Sequence, residues 1–261
     1  MDLKLSGHSA VVMGGSSGLG AGIARSMAAE GVHVYLISRN TEKLQHTAAQ
    51  IQAEGGKATW IAADLSSLAG VQTAITTLQE HCNVIDIIIG NGGGPPPGPA
   101  TSFDAALWKQ QTEAMLLPVM SMTDAFLPAM RKQKFGRIIM VSSTSVAEPI
   151  PGLVLSNALR SALANWGKTL SREVGRDGVT VNTLMPGRFD TDRVAQLNQT
   201  RAQKQGISVA ELRQQKENEI PVGRYGSPEE FGHMATFLAS PLAAYVTGAL
   251  IPIDGGLLRS L

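Results

Sequence analysis

Cysteine is nearly absent from this chain of 261 residues, in which Cys82 is the only one. No internal disulfide can form, so the fold cannot depend on one, and the scarcity is typical of a reducing compartment. The N-terminal residues Met1–Leu5 lack the basic start and apolar run of a secretion signal. We therefore expect a cytoplasmic protein, with Cys82 as a small buried side chain rather than a nucleophile.

Long apolar runs and an excess of either charge are also missing. No stretch approaches the roughly 18 uninterrupted apolar residues that a membrane span needs, so no membrane partner is expected. The formal net charge of +1 gives no electrostatic reason to expect a nucleic acid as a partner. No metal is expected either, because metal-ligand spacing is absent from the histidines, which are His8, His33, His46, His81 and His233.

The sequence does contain a series of short apolar runs with helical patterns between them. The runs are continuous rather than alternating, as in strands that are covered on both faces of a sheet. Between the first two runs, Leu19, Ile23 and Met27 follow helical spacing. This alternation predicts the α/β class, as one Rossmann domain over residues 1–261 with a doubly wound, seven-stranded parallel sheet. The expected strands are Ala10–Met13, Val34–Ile37, Thr59–Ala62, Val84–Ile89, Ile138–Val141, Val179–Leu184 and Ala249–Ile253.

Two further segments interrupt this regular pattern. Residues 92–98 read Gly-Gly-Gly-Pro-Pro-Pro-Gly, a stiff loop directly after the fourth strand, and residues 191–221 are polar and helix-prone. Both follow strands, so they lie at the carboxyl edge of the sheet, where open α/β folds bind ligands. We interpret residues 191–221 as a substrate lid; the alternative is a pair of solvated surface helices.

The first strand runs into the glycine-rich segment Gly14-Gly15-Ser16-Ser17-Gly18-Leu19-Gly20. Glycine permits positive φ angles and close backbone approach, and the helix that follows directs free N–H groups and its positive end at an anion. The segment lies between a buried strand and an amphipathic helix, which is the context that a dinucleotide-binding loop requires. It therefore predicts a pyrophosphate site, against the alternative of a purely structural turn.

The end of the second strand bears on the choice between the two nicotinamide cofactors. An acidic residue there would bind the ribose hydroxyls of NAD, whereas a basic residue would accept the 2′-phosphate of NADP. This strand ends in Ser38-Arg39-Asn40, without a carboxylate. Because a guanidinium can donate two hydrogen bonds to a phosphate, NADP(H) is favoured over NAD(H). The alternative is that Arg39 is only a solvated loop cation.

The G-x-x-x-G-x-G spacing from Gly14 to Gly20 resembles the short-chain dehydrogenase/reductase family, and the resemblance covers nearly the whole chain. Asp64 corresponds to the family acid near adenine, Gly90–Gly93 resembles Asn-Asn-Ala-Gly, Pro186–Thr191 resembles Pro-Gly-x-x-x-Thr, and Asp254–Gly256 resembles the C-terminal Asp-Gly-Gly. The expected cofactor-binding residues are Gly14, Ser16, Ser17, Gly18, Leu19, Gly20, Ser38, Arg39, Asp64, Leu65, Asn91, Gly92, Arg160, Pro186, Gly187, Phe189 and Thr191.

The catalytic positions depart from the family pattern. The family uses a serine, a tyrosine, a lysine four residues later and an upstream asparagine. In this chain Ser143 matches the serine, but the other three positions hold Ser156, Arg160 and Met115. None of the three tyrosines of the chain has a lysine four residues on. The standard proton donor is therefore absent.

Ser143, Ser156 and Arg160 are the expected catalytic residues. A serine hydroxyl is a far weaker acid than a phenol, and arginine holds its proton to a pKa above ~12. Arg160 can bind ribose hydroxyls and stabilise an oxyanion, and the two serines can donate hydrogen bonds to the same oxygen. Such a site suits hydride addition to an enone, whose enolate later takes a proton from water. Glu148, Arg188 and Asp190 are further candidates for substrate contact.

The chain also resembles a divergent subgroup of the family, one member of which reduces a conjugated double bond in the biosynthesis of the antibiotic bacilysin. This resemblance depends on Ser156-Asn157, on Thr191-Asp192-Arg193 and on the polar insertion that ends at Ile220-Pro221. It implies an NADPH-dependent reductase of a carbonyl or of a conjugated C=C bond in a small molecule. The alternative is a catalytically impaired NADP(H)-binding protein that acts as a sensor or partner subunit.

A homodimer or homotetramer is expected from two helices that follow the fourth and fifth strands. They carry more apolar positions than one face of a sheet can cover, and the family pairs these helices across two-fold axes. The positions are Phe126, Leu127, Met130, Leu159, Leu163, Trp166 and Leu170.

Overall fold

The computed structural model describes residues 1–82 and 84–260. They form one seven-stranded sheet in the order β3-β2-β1-β4-β5-β6-β7, and every neighbouring pair of strands is parallel. This confirms the predicted doubly wound Rossmann fold. The strands are β1 Ser9–Met13, β2 His33–Ser38, β3 Lys57–Ala62, β4 Ile87–Gly90, β5 Gly136–Val141, β6 Val179–Pro186 and β7 Leu250–Ile253.

The fourth strand is the one whose start departs most from the prediction. It begins at Ile87 rather than at Val84. Ile85 is fully buried and belongs to the core, but it lies in the approach to the strand. The side chain of Asp86 accepts a hydrogen bond from the backbone N–H of Ser9 at 2.8 Å. Apolar periodicity cannot distinguish buried residues that precede a strand from residues that are paired within it.

Helices cover both faces of the sheet, so the sheet divides two cores. One core contains Ile23, Leu44 and Phe231, and the other contains Leu78 and Phe126. The helices are α1 Gly18–Ala29, α2 Thr41–Ala53, α3 Leu68–His81, α4 Ala105–Met115, α5 Leu117–Gln133, α6 Val154–Val174, α7 Asp192–Gln205, α8 Val209–Asn218 and α9 Pro228–Ala239. In the described part of the chain, no helix is both long and apolar enough to cross a membrane.

The apolar residues of α5 and α6 do not form the surplus on which the predicted oligomer was based. Phe126, Met130, Leu159, Leu163 and Leu170 are all buried in this chain. The remaining two, Leu127 and Trp166, are partly buried against the same core. The inference from surplus apolar area was therefore wrong, because one face of the sheet covers most of these side chains.

Helices α1 and α9 approach each other at glycines. A Cβ added to Gly22 would lie 2.3 Å from the carbonyl oxygen of Pro228, and one added to Gly232 would lie 2.5 Å from that of Gly22. Both contacts are with backbone atoms, which cannot rotate away as a side chain can. The position of α1, which begins in the glycine-rich segment, therefore depends on this close packing.

We expect Gly22→Ala to lower the free energy of unfolding by about 1–3 kcal/mol, because the added methyl group overpacks the contact between α1 and α9. The control is Gly175→Ala, since Gly175 has a helical backbone and nothing lies within 4 Å of an added Cβ. Urea denaturation followed by circular dichroism measures both. Equal stability of the two variants would contradict this view of the α1–α9 contact.

Candidate functional site

The candidate site lies at the carboxyl ends of β1 and β4, where the order of the strands reverses. Asn91 follows β4, and its Nδ2 donates to the carbonyl oxygens of Met13 at 3.1 Å and Gly14 at 3.4 Å. The amide thus joins the ends of the two strands that open the crevice. Ligands of open α/β sheets bind at such a reversal point.

The glycine-rich segment fits a bound phosphate. Gly14 and Gly18 have φ angles of +63° and +53°, and a Cβ on Gly20 would lie 2.2 Å from the carbonyl oxygen of Gly14. Ser17 is the N-cap residue of α1, yet its side chain makes no capping hydrogen bond, unlike those of Asn40 before α2 and Ser67 before α3. The first N–H groups of α1 are therefore available to an anion.

The adenosine end of the crevice has the polar groups that the sequence predicts. The hydroxyl of Ser16 donates to that of Ser38 at 2.9 Å. The Arg39 side chain is 74% exposed, and its Nε lies 3.7 Å from Asp64 Oδ1. Hydrogen bonds from Ser66, and secondarily the charge of Arg39, lower the pKa of the Asp64 carboxyl. The long ion pair leaves Arg39 free to contact a 2′-phosphate.

The nicotinamide end is formed by the loop after β6. Gly187 packs closely on the loop after β7, since an added Cβ would lie 2.6 Å from the Cα of Asp254. Thr191 caps α7 by accepting from the N–H of Val194 at 3.3 Å, and its methyl group lies against Gly18. The side chain of Phe189 is buried in the core, with its ring 5.2 Å from that of Phe231. Only the backbone of Phe189 remains for a cofactor.

Arg160 is held at the end of β5. Its Nη1 donates to the carbonyl oxygens of Val141 at 3.0 Å and Ser142 at 2.9 Å. Burial, with a smaller contribution from the charge of Arg193, lowers the pKa of Arg160 to about 10. The group therefore stays charged at neutral pH. The guanidinium is thus a fixed cation at the end of β5, bonded to the residue that precedes Ser143.

The two serines differ in their surroundings. The Oγ of half-buried Ser143 accepts from the backbone N–H of Ser145 at 3.1 Å, which leaves its own hydrogen available to a ligand. Ser156 lies one turn before Arg160 on α6, so both residues share a face of that helix. Among the described residues, the Ser156 hydroxyl has no hydrogen-bond partner.

No phenol takes the place of the missing tyrosine. Tyr35 is buried in β2, where burial raises its pKa to about 12. Tyr225 is buried with its hydroxyl accepting from Asn198, and Tyr245 is fully exposed beyond α9. Met115 lines a small cavity together with Arg160, Val119 and other apolar side chains. The apolar side chain of Met115 and the guanidinium of Arg160 therefore line the same cavity.

The other predicted substrate contacts are engaged elsewhere. Glu148 accepts from the backbone N–H groups of Arg259 and Ser260 at 3.0 and 2.8 Å. Arg188 pairs with Glu219 at 2.6 Å, and Asp190 accepts two hydrogen bonds from Arg213. Glu148 and Arg188 thus fasten the C-terminus and the end of α8, whereas Asp190, although bonded to Arg213, lines the cavity beside the glycine-rich segment.

One residue in the crevice was missed by the sequence reasoning. Arg193, in the first turn of α7, donates from Nη2 to the carbonyl oxygen of Gly94 at 3.2 Å. It thereby crosses from residues 191–221 to the loop at 92–98. Its position two residues after Thr191 was the signal available in the sequence.

Comparisons with known proteins agree with this geometry. The family model described as Enoyl-(Acyl carrier protein) reductase matches residues 14–258. The 3-oxoacyl-[acyl-carrier-protein] reductase FabG of Aquifex aeolicus is 30% identical over 258 residues, covering 98% of this chain and 100% of the relative.

Two solved structures are similar over nearly the whole chain. YwfH, an NADPH-dependent reductase involved in bacilysin biosynthesis, has a TM-score of 0.93 and 28% identity, covering 98% of this chain and 100% of that one. L-sorbose reductase from Gluconobacter frateurii, complexed with NADPH and L-sorbose, has a TM-score of 0.95 and 28% identity, with 100% of both chains covered.

Proposed function

Because the chain belongs to the short-chain dehydrogenase/reductase family, we propose that it reduces a C=C bond conjugated to a carbonyl group in a small molecule. The chain is an NAD(P)-dependent oxidoreductase that uses NADP(H), like the two solved structures to which it is similar. The proposal of C=C reduction depends on the interpretation that Ser156 and Arg160 occupy the positions of the family's tyrosine and lysine.

The residues of the crevice would hold the dinucleotide at three points. The uncapped N-terminus of α1 would bind the pyrophosphate, Arg39 the 2′-phosphate, and Thr191 with the backbone of Gly187 the nicotinamide amide. Arg160 would bind the nicotinamide ribose. When bound, the cofactor supplies a hydride, and the chain's own residues position the substrate and stabilise the charge that develops on it.

The chain's polar groups suit an enolate better than an alkoxide. Hydride addition to the β carbon of an enone forms a C–H bond. The π pair of the C=C bond then joins the α carbon to the carbonyl carbon, and the π pair of the C=O bond moves onto the oxygen. The fixed charge of Arg160 and hydrogen bonds from Ser143 and Ser156 stabilise that oxyanion. The α carbon then takes a proton from water, so no strong acid is needed in the site. An alkoxide from a simple ketone is far more basic and needs a proton at once.

We also propose that residues 191–221 act as a lid. Helices α7 and α8 occupy this segment, and Thr191 and Arg193 contact Gly18 and the loop at 92–98 from opposite sides. Because its first residues contact both sides of the crevice, this segment is suited to covering a bound substrate.

We further propose a homodimer or homotetramer that uses the open edge of the sheet. Strand β7 pairs only with β6 among the described strands, and an unpaired edge is a template for another chain. Exposed apolar side chains lie around this edge and on α9: Met234, Phe237, Leu242, Tyr245 and Leu250.

Substitution of Arg39 is expected to change the preference between cofactors. Arg39→Ala should weaken NADPH binding by about 1.5–3 kcal/mol, the worth of a hydrogen bond between charged groups, and leave NADH binding unchanged. Fluorescence titration of the wild type and the variant with both nucleotides measures this. Equal affinity of the wild type for the two nucleotides would remove Arg39 as the basis of selectivity.

The chain should reduce an enone faster than the matched saturated ketone at saturating NADPH. Arg160→Ala should lower the rate with the enone by about 100- to 1,000-fold, because it removes the fixed charge beside the oxyanion, and Ser156→Ala should be milder. NADPH consumption and product analysis distinguish a saturated ketone from an alcohol.

Two outcomes would redirect the proposal. Faster turnover of the saturated ketone, with alcohol as product, would make the protein a carbonyl reductase with another acid. Tight NADPH binding without turnover of any enone or ketone would favour the alternative of a sensor or partner subunit that has lost catalysis.

Light scattering at micromolar concentration should give the mass of a dimer or a tetramer, because the exposed apolar edge is covered by a second copy. Leu250→Lys should shift the distribution towards smaller species. Leu68→Lys is the control and should not, because Leu68 is an exposed leucine at the start of α3, away from β7. A monomer in the wild type would refute the proposed oligomer.

A further inference from the structure

Two guanidinium groups meet at one point of the loop at 92–98. Arg160 uses Nη1 to bind backbone carbonyls, and its Nη2 is directed towards Gly94. Arg193 reaches the same residue from α7 and donates to its carbonyl oxygen. One arginine thus comes from the floor of the crevice and the other from the proposed lid.

Gly94 leaves the space in which the two groups lie. A Cβ added there would be 2.7 Å from Nη2 of Arg193 and 3.8 Å from Nη2 of Arg160. Any other residue at this position would push Arg193 away from the loop. The glycine therefore permits two cations to face the same small volume.

Neither cation is neutralised. Among the described residues, no carboxylate forms an ion pair with Arg160 or Arg193, although other charges nearby are paired. Asp190 pairs with Arg213, and Asp192 pairs with Lys43 at 2.9 Å. Two like charges in a partly buried crevice repel each other, and Arg193 contributes to the lowered pKa of Arg160. A bound anion would remove that repulsion.

The position of Arg193 favours a substrate anion over a phosphate of the cofactor. The pyrophosphate site is at the N-terminus of α1, and Arg39 lies at the adenosine end. Asp192 turns towards Lys43 of α2, whereas the next residue, Arg193, turns the other way, towards Gly94 and Arg160. Arg193 therefore lies on the side of the crevice that holds the proposed catalytic groups.

We propose that Arg193 binds a carboxylate of the substrate, with the charge of Arg160 adding to the attraction. This inference rests on the proposed reductase function and narrows its substrate to a free unsaturated keto acid. A thioester carried on an acyl carrier protein has no such charge near the reacting carbons. A guanidinium and a carboxylate form two parallel hydrogen bonds, which also orient the bound acid.

The test compares 4-oxopent-2-enoate with its uncharged methyl ester in an NADPH-consumption assay. We expect a higher kcat/KM for the acid, and Arg193→Gln should lower that value by about 10- to 100-fold, mainly through KM. The value for the ester and the affinity for NADPH should fall by a smaller factor than the value for the acid, because neither places a carboxylate at Arg193. Arg201→Gln is the control, since Arg201 is an exposed arginine on the same helix.

A binding measurement separates this inference from the proposed function. Calorimetry of the protein–NADP⁺ complex with 4-oxopentanoate and its methyl ester requires no turnover. Preference for the acid that is lost in Arg193→Gln supports the inference even if neither enone is reduced. Equal binding of acid and ester, or no binding of the acid, would overturn it. An Arg193→Gln variant that binds NADPH itself at least tenfold more weakly would assign the arginine to the cofactor instead.

Discussion

All seven strands run in the same direction, so all of their carboxyl ends lie along one edge of the sheet. Backbone carbonyl groups at and just beyond the ends of the strands are not all bonded to a neighbouring strand, so they must find other hydrogen-bond partners. Asn91 bonds the carbonyl groups of Met13 and Gly14, and Arg160 bonds those of Val141 and Ser142. The unfilled hydrogen-bonding capacity at this edge is therefore what positions the polar groups of the crevice.

Arginine at position 160 changes what the site can do. A lysine ammonium presents one nitrogen, whereas a guanidinium can bond the backbone through one nitrogen and keep the other for a ligand. Arg160 bonds the backbone through Nη1 and directs Nη2 towards Gly94. Among the described residues, no carboxylate pairs with Arg160 and cancels this charge. If Ser156 stands in place of the family's phenol, as we propose, the site would keep electrostatic stabilisation without a strong proton donor, and an enolate would be the better match.

Most of the fold could be predicted from the sequence because continuous apolar runs and the glycine-rich segment are local signals. The direction in which a side chain points depends on the whole fold, so local sequence signals do not predict it. The seven apolar residues of α5 and α6 read as a surplus, but the sheet covers five of them. Phe189 lies within the nicotinamide loop, yet its ring packs on Phe231. Arg193 was missed because its partner, Gly94, is remote in sequence, and only the folded chain brings the two together.

The polar contacts that link residues 191–221 to neighbouring elements are individually weak. Asp192–Lys43 and Asp190–Arg213 are exposed ion pairs, and such pairs contribute about 0–1 kcal/mol each. The hydrogen bond from Arg193 to Gly94 is also exposed, and a neutral acceptor makes it worth about 0.5–1.5 kcal/mol. A carboxylate is the stronger acceptor, worth about 1.5–3 kcal/mol. Arg193 would therefore exchange the carbonyl of Gly94 for an acidic substrate, and the same residue that bridges the crevice when it is empty would orient the substrate when it is filled.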